Sequence, residues 1–275
     1  MSARLIVNAD DLGISEAVNR GIADAHDRGI VTSTSLMATG PAFAHAVALA
    51  RSRPKLAVGV HLVLTEHEPL CGAAAVPGLV GRDGRFPPHV RALLGPALRG
   101  TLPLDEIRAE LDAQIRRARD AGLALGHLDG HQHVHVLPGV ARIVAELADA
   151  HGIRAVRYPA ERPHGYMLRK PQRLRRVAEQ AALRAFAAAA PLERLRRSEH
   201  FVGFYFGGQL DEANLGTVLE TLPEGGTVEL MCHPGDEDMQ PAGGWQYAWA
   251  AERDALTSPR IREALAARGI ELVPG

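Results

Sequence analysis

Asp10 and Asp11 stand side by side after the apolar run Leu5-Ile6-Val7-Asn8-Ala9. Two ionised carboxylates at a buried strand end repel one another unless a cation or an arginine lies beside them. A cation would take one carboxylate as ligand and leave the other to deprotonate water. The plainer alternative, a helix cap, is weakened by Ser15, a better cap for the helix that follows. A denser signal is His127-Leu128-Asp129-Gly130-His131-Gln132-His133-Val134-His135, four histidines and an aspartate in nine residues, which a hydrophobic core does not call for. His61 interrupts the apolar strand Gly59-Val60-His61-Leu62-Val63-Leu64 and, taken alone, reads equally as a core histidine or a ligand. Asp, His and His suit Zn²⁺, Mn²⁺, Fe²⁺ or Co²⁺ with positions left open for water and substrate, whereas Mg²⁺ prefers oxygen. His233, immediately before Pro234-Gly235, is placed to protonate a leaving amine.

Such residues need a scaffold that brings several strand ends to one rim. β-branched runs at 5–9, 31–37, 56–62, 123–128, 155–158, 201–206, 227–232 and 270–273 alternate with amphipathic stretches at 16–29, 43–51, 104–121 and 139–151. A further helix begins at Ser258-Pro259. The pattern predicts an α/β fold, a (β/α) barrel of seven to eight parallel strands, with incomplete or distorted closure left open. An open doubly wound sheet is disfavoured because no glycine-rich phosphate loop follows strand one. A barrel delivers its chemistry at the C-terminal strand ends, and Asp10 and Asp11 just past strand one, His61, Asp129, His131, Arg157 and His233 all fall there. For Arg157 a surface position is the competing reading. A single domain over 1–275 is expected, with a long Gly/Pro-rich insertion loop at about 66–100 as one wall of a substrate cleft and a basic helical segment at about 167–198.

Composition narrows the function classes. The formal charge of −1 supplies no field for nucleic acid, and aromatics at 4% disfavour a base-stacking platform. Cys71 and Cys232 form no CxxC pair, and no signal-peptide core or long apolar run is present, so a cytoplasmic protein is expected. Between Arg154 and Arg197 twelve Lys or Arg face three Glu. A solvated face is the commoner reading, and contact with anionic lipid or a partner the other.

Asn8-Ala9-Asp10-Asp11-Leu12-Gly13, Gly59-Val60-His61-Leu62, His127-Leu128-Asp129-Gly130-His131-Gln132-His133 and Cys232-His233-Pro234-Gly235 together resemble, in order and spacing, the motifs of the YdjC-like (chitooligosaccharide deacetylase) family. The resemblance spans residue 4 to about 273. It implies a (β/α) barrel, a divalent metal held by Asp11, His61 and His131, Asp10 as general base and His233 as general acid. Zinc or magnesium is the expected ion, with manganese, iron or cobalt as alternatives. His127 and His131 both match the family pattern; His131 is chosen because His127 falls within the strand while His131 lies beyond its end. Asp129 is expected to accept a hydrogen bond from a ligand imidazole, and Arg157 resembles the arginine that pairs with the base carboxylate in related polysaccharide deacetylases. The implied substrate is an N-acetylated sugar. The tail from Trp245 to Pro259 resembles hopanoid-biosynthesis-associated members, which implies a glycolipid substrate, with the basic segment docking at the inner membrane face. Soluble chitooligosaccharides, a metal-dependent esterase or phosphoesterase and a non-catalytic sugar-binding barrel are the alternatives. Related folds often pair, so a homodimer is expected.

Overall fold

The computed structural model describes residues 3–169, 174–236 and 246–275. Its strands are β1 (Arg4–Leu12), β2 (Ser33–Leu36), β3 (Ala57–Leu62), β4 (Leu125–Gly130), β5 (Ala155–Val156), β6 (His200–Val202), β7 (Thr227–Cys232) and β8 (Glu271–Leu272). The helices are α1 (Glu16–Asp27), α2 (Phe43–Arg51), α3 (Arg91–Arg99), α4 (Leu104–Asp120), α5 (Val140–His151), α6 (Leu174–Ala189), α7 (Glu212–Glu220), α8 (Trp249–Thr257) and α9 (Pro259–Ala267). Local chemistry sets several boundaries. Ser15 caps α1 by accepting from the Val18 amide at 3.1 Å, and Val18, Ile22 and Ala25 form its buried stripe. Asp211 caps α7 in the same way through the Asn214 amide.

All strand pairings are parallel, in the order β5-β4-β3-β2-β1-β7-β6, with β8 added to the start of β1. No described ladder joins β5 to β6; one parallel bridge, Ala155 to Arg196, lies between them. The fold is therefore the (β/α) barrel that the alternation of elements predicts, and its closure, left open by the sequence, is incomplete and distorted. Helices pack outside over an apolar layer that includes Leu5, Val7, Ile22, Leu111, Ile115, Val144 and Leu230, all buried.

Several expectations need correction. β1 runs to Leu12, so Asp10 and Asp11 lie within it and not past its end; Asp11 takes φ +67° and breaks the register between Ala9 and Leu12. The run 201–206 is strand only to Val202, because Gly203 turns at φ +105°. The 66–100 segment is not all loop, since α3 forms inside it. Ser258 precedes α9 as expected, but its hydroxyl donates to Glu212 at 2.6 Å instead of capping. Lys170, Arg173 and Trp245, which entered the basic-segment and tail readings, lie outside the described residues. Among the described residues no helix is long and apolar enough to cross a membrane.

Candidate active site

The strand register explains how distant residues meet. Ala9 pairs with Cys232, the last residue of β7, so Asp10 on β1 lies beside His233 just past the end of β7. His61 pairs with Asp129. Period-2 alternation sends Asn8 and Asp10, Ser35, His61, His127 and Asp129, and Glu229 to one side of the sheet, and all are buried. This side is a polar stack inside the curled sheet.

Arg157 lies at its centre and is fully buried, which removes the surface reading. Its Nη1 and Nη2 donate to the two oxygens of Asp10, each at 2.6 Å, and its Nε donates to Glu229 Oε1 at 2.6 Å. Nη1 also lies 2.8 Å from Asp129 Oδ2. Asn8 Nδ2 adds a bond to Asp10 Oδ1 at 2.8 Å. Burial works against the guanidinium, but Asp10, Asp129 and Glu229 outweigh it and hold Arg157 firmly protonated. For Glu229 the balance runs the other way: burial raises its carboxyl despite Arg157.

Asp11, His61 and His131 form a second, adjoining group whose donor atoms lie within 4.8 Å of one another. His61 Nδ1 is 2.7 Å from Asp129 Oδ1, so that nitrogen carries the proton and donates. Its other nitrogen, Nε2, then faces Asp11 Oδ1 at 3.4 Å. His131 Nδ1 approaches the same oxygen at 3.0 Å. Two imidazole lone pairs aimed at one carboxylate oxygen need a positive charge between them. Without a metal, protons supply it: burial opposes protonation, yet the carboxylates push His61 up to about 10 and His131 to about 9. Burial likewise disfavours the Asp11 anion, but His131 and His61 hold it well below the usual carboxylate range. An Asp-His-His set with one histidine oriented by a carboxylate has the donor chemistry of a divalent transition-metal centre.

His127 does not join that group. Ser35 Oγ donates to Asp129 Oδ2 at 2.7 Å and accepts from Asn8 Nδ2 at 2.8 Å, so His127 Nε2, 3.2 Å away, must donate to it. The ring lies over Gly59, where a Cβ would come within 2.4 Å of it. Burial keeps this imidazole neutral. His233 stands on the same rim, just past the end of β7, with its ring centroid 4.7 Å from Tyr247. Glu252 fixes it through the backbone, accepting from the amides of His233 at 2.6 Å and Leu210 at 3.0 Å. His133 and His135 are buried and held neutral, against Phe201 and Phe204 and on the Arg157 carbonyl respectively.

Sequence reasoning missed Ser35, Glu66, Glu229 and Glu252. Glu229 carried a readable signal, a charge at alternate spacing from His233 in an apolar strand. Ser35 carried none, because serine is unremarked in a strand.

A curled parallel barrel with an aspartate-histidine cluster at its C-terminal rim is the class that fold and site define. Within it, the chain belongs to the YdjC-like protein family, whose model matches residues 4–267. It is 39% identical to a chitooligosaccharide deacetylase of Klebsiella pneumoniae over 99% of this chain and 98% of that one. It is 37% identical to a carbohydrate deacetylase of Geobacillus stearothermophilus over 98% and 95% of the two chains. A mouse carbohydrate deacetylase is also 37% identical, over 98% and 93%. A solved protein of Enterococcus faecalis V583, assigned in name to cellobiose-phosphate cleavage, superposes with TM-score 0.79 at 28% identity, covering 100% and 98%.

Proposed function

We propose that this protein hydrolyses the acetamide of an N-acetylated amino sugar, using one divalent metal ion held by Asp11, His61 and His131. The observation that carries the reading is the adjacency of two differently treated aspartates: Asp11 faces two imidazoles, while Asp10 is clamped by Arg157. When bound, the ion supplies Lewis-acid polarisation of a carbonyl and acidification of water. Asp10 then acts as general base, taking the proton of the attacking water; Arg157 fixes the direction of its carboxylate through the two bonds at 2.6 Å. His233, just past the end of the neighbouring β7, gives a proton to the departing amine. Asp129 positions His61 and shares Arg157 with Asp10. The names of the relatives favour a carbohydrate substrate, and chitooligosaccharides are the class those names print. A lipid-linked N-acetylglucosamine is the other sugar source, supported by the basic residues of α6.

The test is acetate release from diacetylchitobiose and from an N-acetylglucosaminyl hopanoid, before chelation, after it, and after return of Zn²⁺, Mn²⁺ or Mg²⁺. Release that chelator abolishes and metal restores is the expected outcome, and the preferred substrate separates soluble from lipid-linked sugar. Release from neither substrate by metal-loaded protein would overturn the reading.

A further inference from the structure

Glu66 is buried, and its backbone takes φ +68°, a left-handed conformation that costs a non-glycine residue about 1–2 kcal/mol. The surrounding contacts enforce it. The Glu66 amide donates to Pro87 O at 3.0 Å, and Arg85 Nη2 donates to the Glu66 carbonyl at 2.8 Å. On either side, α4 grips the chain: Gln114 bonds both the amide and the carbonyl of Val63 at 2.8 Å, and Glu110 accepts from the amides of Leu70 and Cys71. The result is a carboxylate aimed at His131, with Oε2 3.1 Å from Nε2, the ring nitrogen that faces away from Asp11. Gln132, next in sequence to His131, donates to Glu66 Oε1 at 3.3 Å and accepts from the Val90 amide at 2.8 Å. Both Gln132 and His133 have positive φ, so the loop carrying His131 is itself held in an uncommon shape.

We infer that Glu66 is a positioning residue: it accepts the Nε2 proton of His131, so that Nδ1 is the nitrogen offered to the metal, and it ties metal affinity to the order of the 66–90 segment. This rests on the metal site proposed above. A carboxylate behind a ligand imidazole fixes ring angle and tautomer, and its loss typically weakens metal binding about 10- to 100-fold.

The experiment is calorimetric titration of Zn²⁺ into metal-free wild type, Glu66→Ala, Glu66→Asp and Glu66→Gln, with circular dichroism as the check of fold. Glu66→Asp keeps the charge and tolerates the left-handed backbone but is one methylene too short, so it and Glu66→Ala are expected to weaken binding about 10- to 100-fold. Glu66→Gln, which still presents an acceptor oxygen at the same reach, is expected to stay near wild type. In the zinc-loaded wild type, long-range nitrogen-proton spectra are expected to place the His131 proton on Nε2. Unchanged affinity in both Glu66→Ala and Glu66→Asp, a Glu66→Gln loss as large as that of Glu66→Ala, or a proton on Nδ1 would each overturn the inference. Wild-type protein that takes up no divalent ion would instead overturn the metal site on which it rests.

Discussion

Arg157 is the residue on which the interior charges balance. With Asp10, Asp129 and Glu229 all within 2.8 Å of its guanidinium, truncation to Met leaves buried carboxylates uncompensated, which typically costs about 3–5 kcal/mol. Urea unfolding should register that loss for Arg157→Met. Arg157→Lys should recover little of it, because an ammonium cannot bridge Asp10 bidentately while reaching Glu229; a Lys variant of wild-type stability would contradict the account. At this scale the sequence was most informative where a residue type is out of place. Asp10-Asp11 and the histidine-rich run stand in apolar surroundings and could be read directly. Glu66 lay among other polar loop residues, and its contact with His131 depends on a long-range fold that periodicity does not encode.

Among the elements, α1 constrains the rim that carries His233. Gly21 packs so closely on Gly235 that a Cβ there would lie 2.3 Å from the Gly235 Cα. Both partners are backbone, so no rotamer change relieves the clash. Gly21→Ala should push α1 and the His233-Pro234-Gly235 turn apart, lowering stability by about 1–3 kcal/mol, as overpacking does, and reducing turnover more than Gly216→Ala, where nothing lies within 4 Å. Equal turnover in the two variants would show that the turn is not held by this contact.

The turn after β6 responds to pH through Glu161. Its carboxylate accepts from the amides of Tyr205 at 2.9 Å and Gly203 at 3.4 Å, yet burial raises the carboxyl from 4.5 to about 7. Between those values the folded chain keeps a proton that the unfolded chain has released. This contribution to stability is complete below pH 4.5 and lost as pH rises through 7. Wild type should therefore lose roughly 3 kcal/mol relative to Glu161→Gln between pH 4.5 and 8, at 1.4 kcal/mol per unit. Parallel pH profiles of the two unfolding midpoints would exclude it. Elements with strong periodicity, such as α2, α4 and β7, were legible to within a residue. α7 and α8 were not, since Gly216 interrupts one and the other follows a polar, Gly/Pro-rich stretch.

Seen whole, the molecule keeps an apolar layer between sheet and helices and fills the inside of the curled sheet with ionisable groups. Parallel pairing makes this possible, because strand ends far apart in sequence then open on the same rim, with Asp10 beside His233 and His61 beside Asp129. Seven to eight alternating βα units announced that arrangement, whereas the gap between β5 and β6 depends on short strands that composition does not mark. The central claim is a division of labour between adjacent aspartates, Asp11 for the metal and Asp10 for the proton. Its most direct test is the rate of acetate release by zinc-loaded Asp10→Asn, with metal content measured on the same sample. A full complement of metal is expected, with a rate about 10²- to 10⁴-fold below wild type, as for a lost general base. A metal-replete Asp10→Asn that turns over close to the wild-type rate would contradict it.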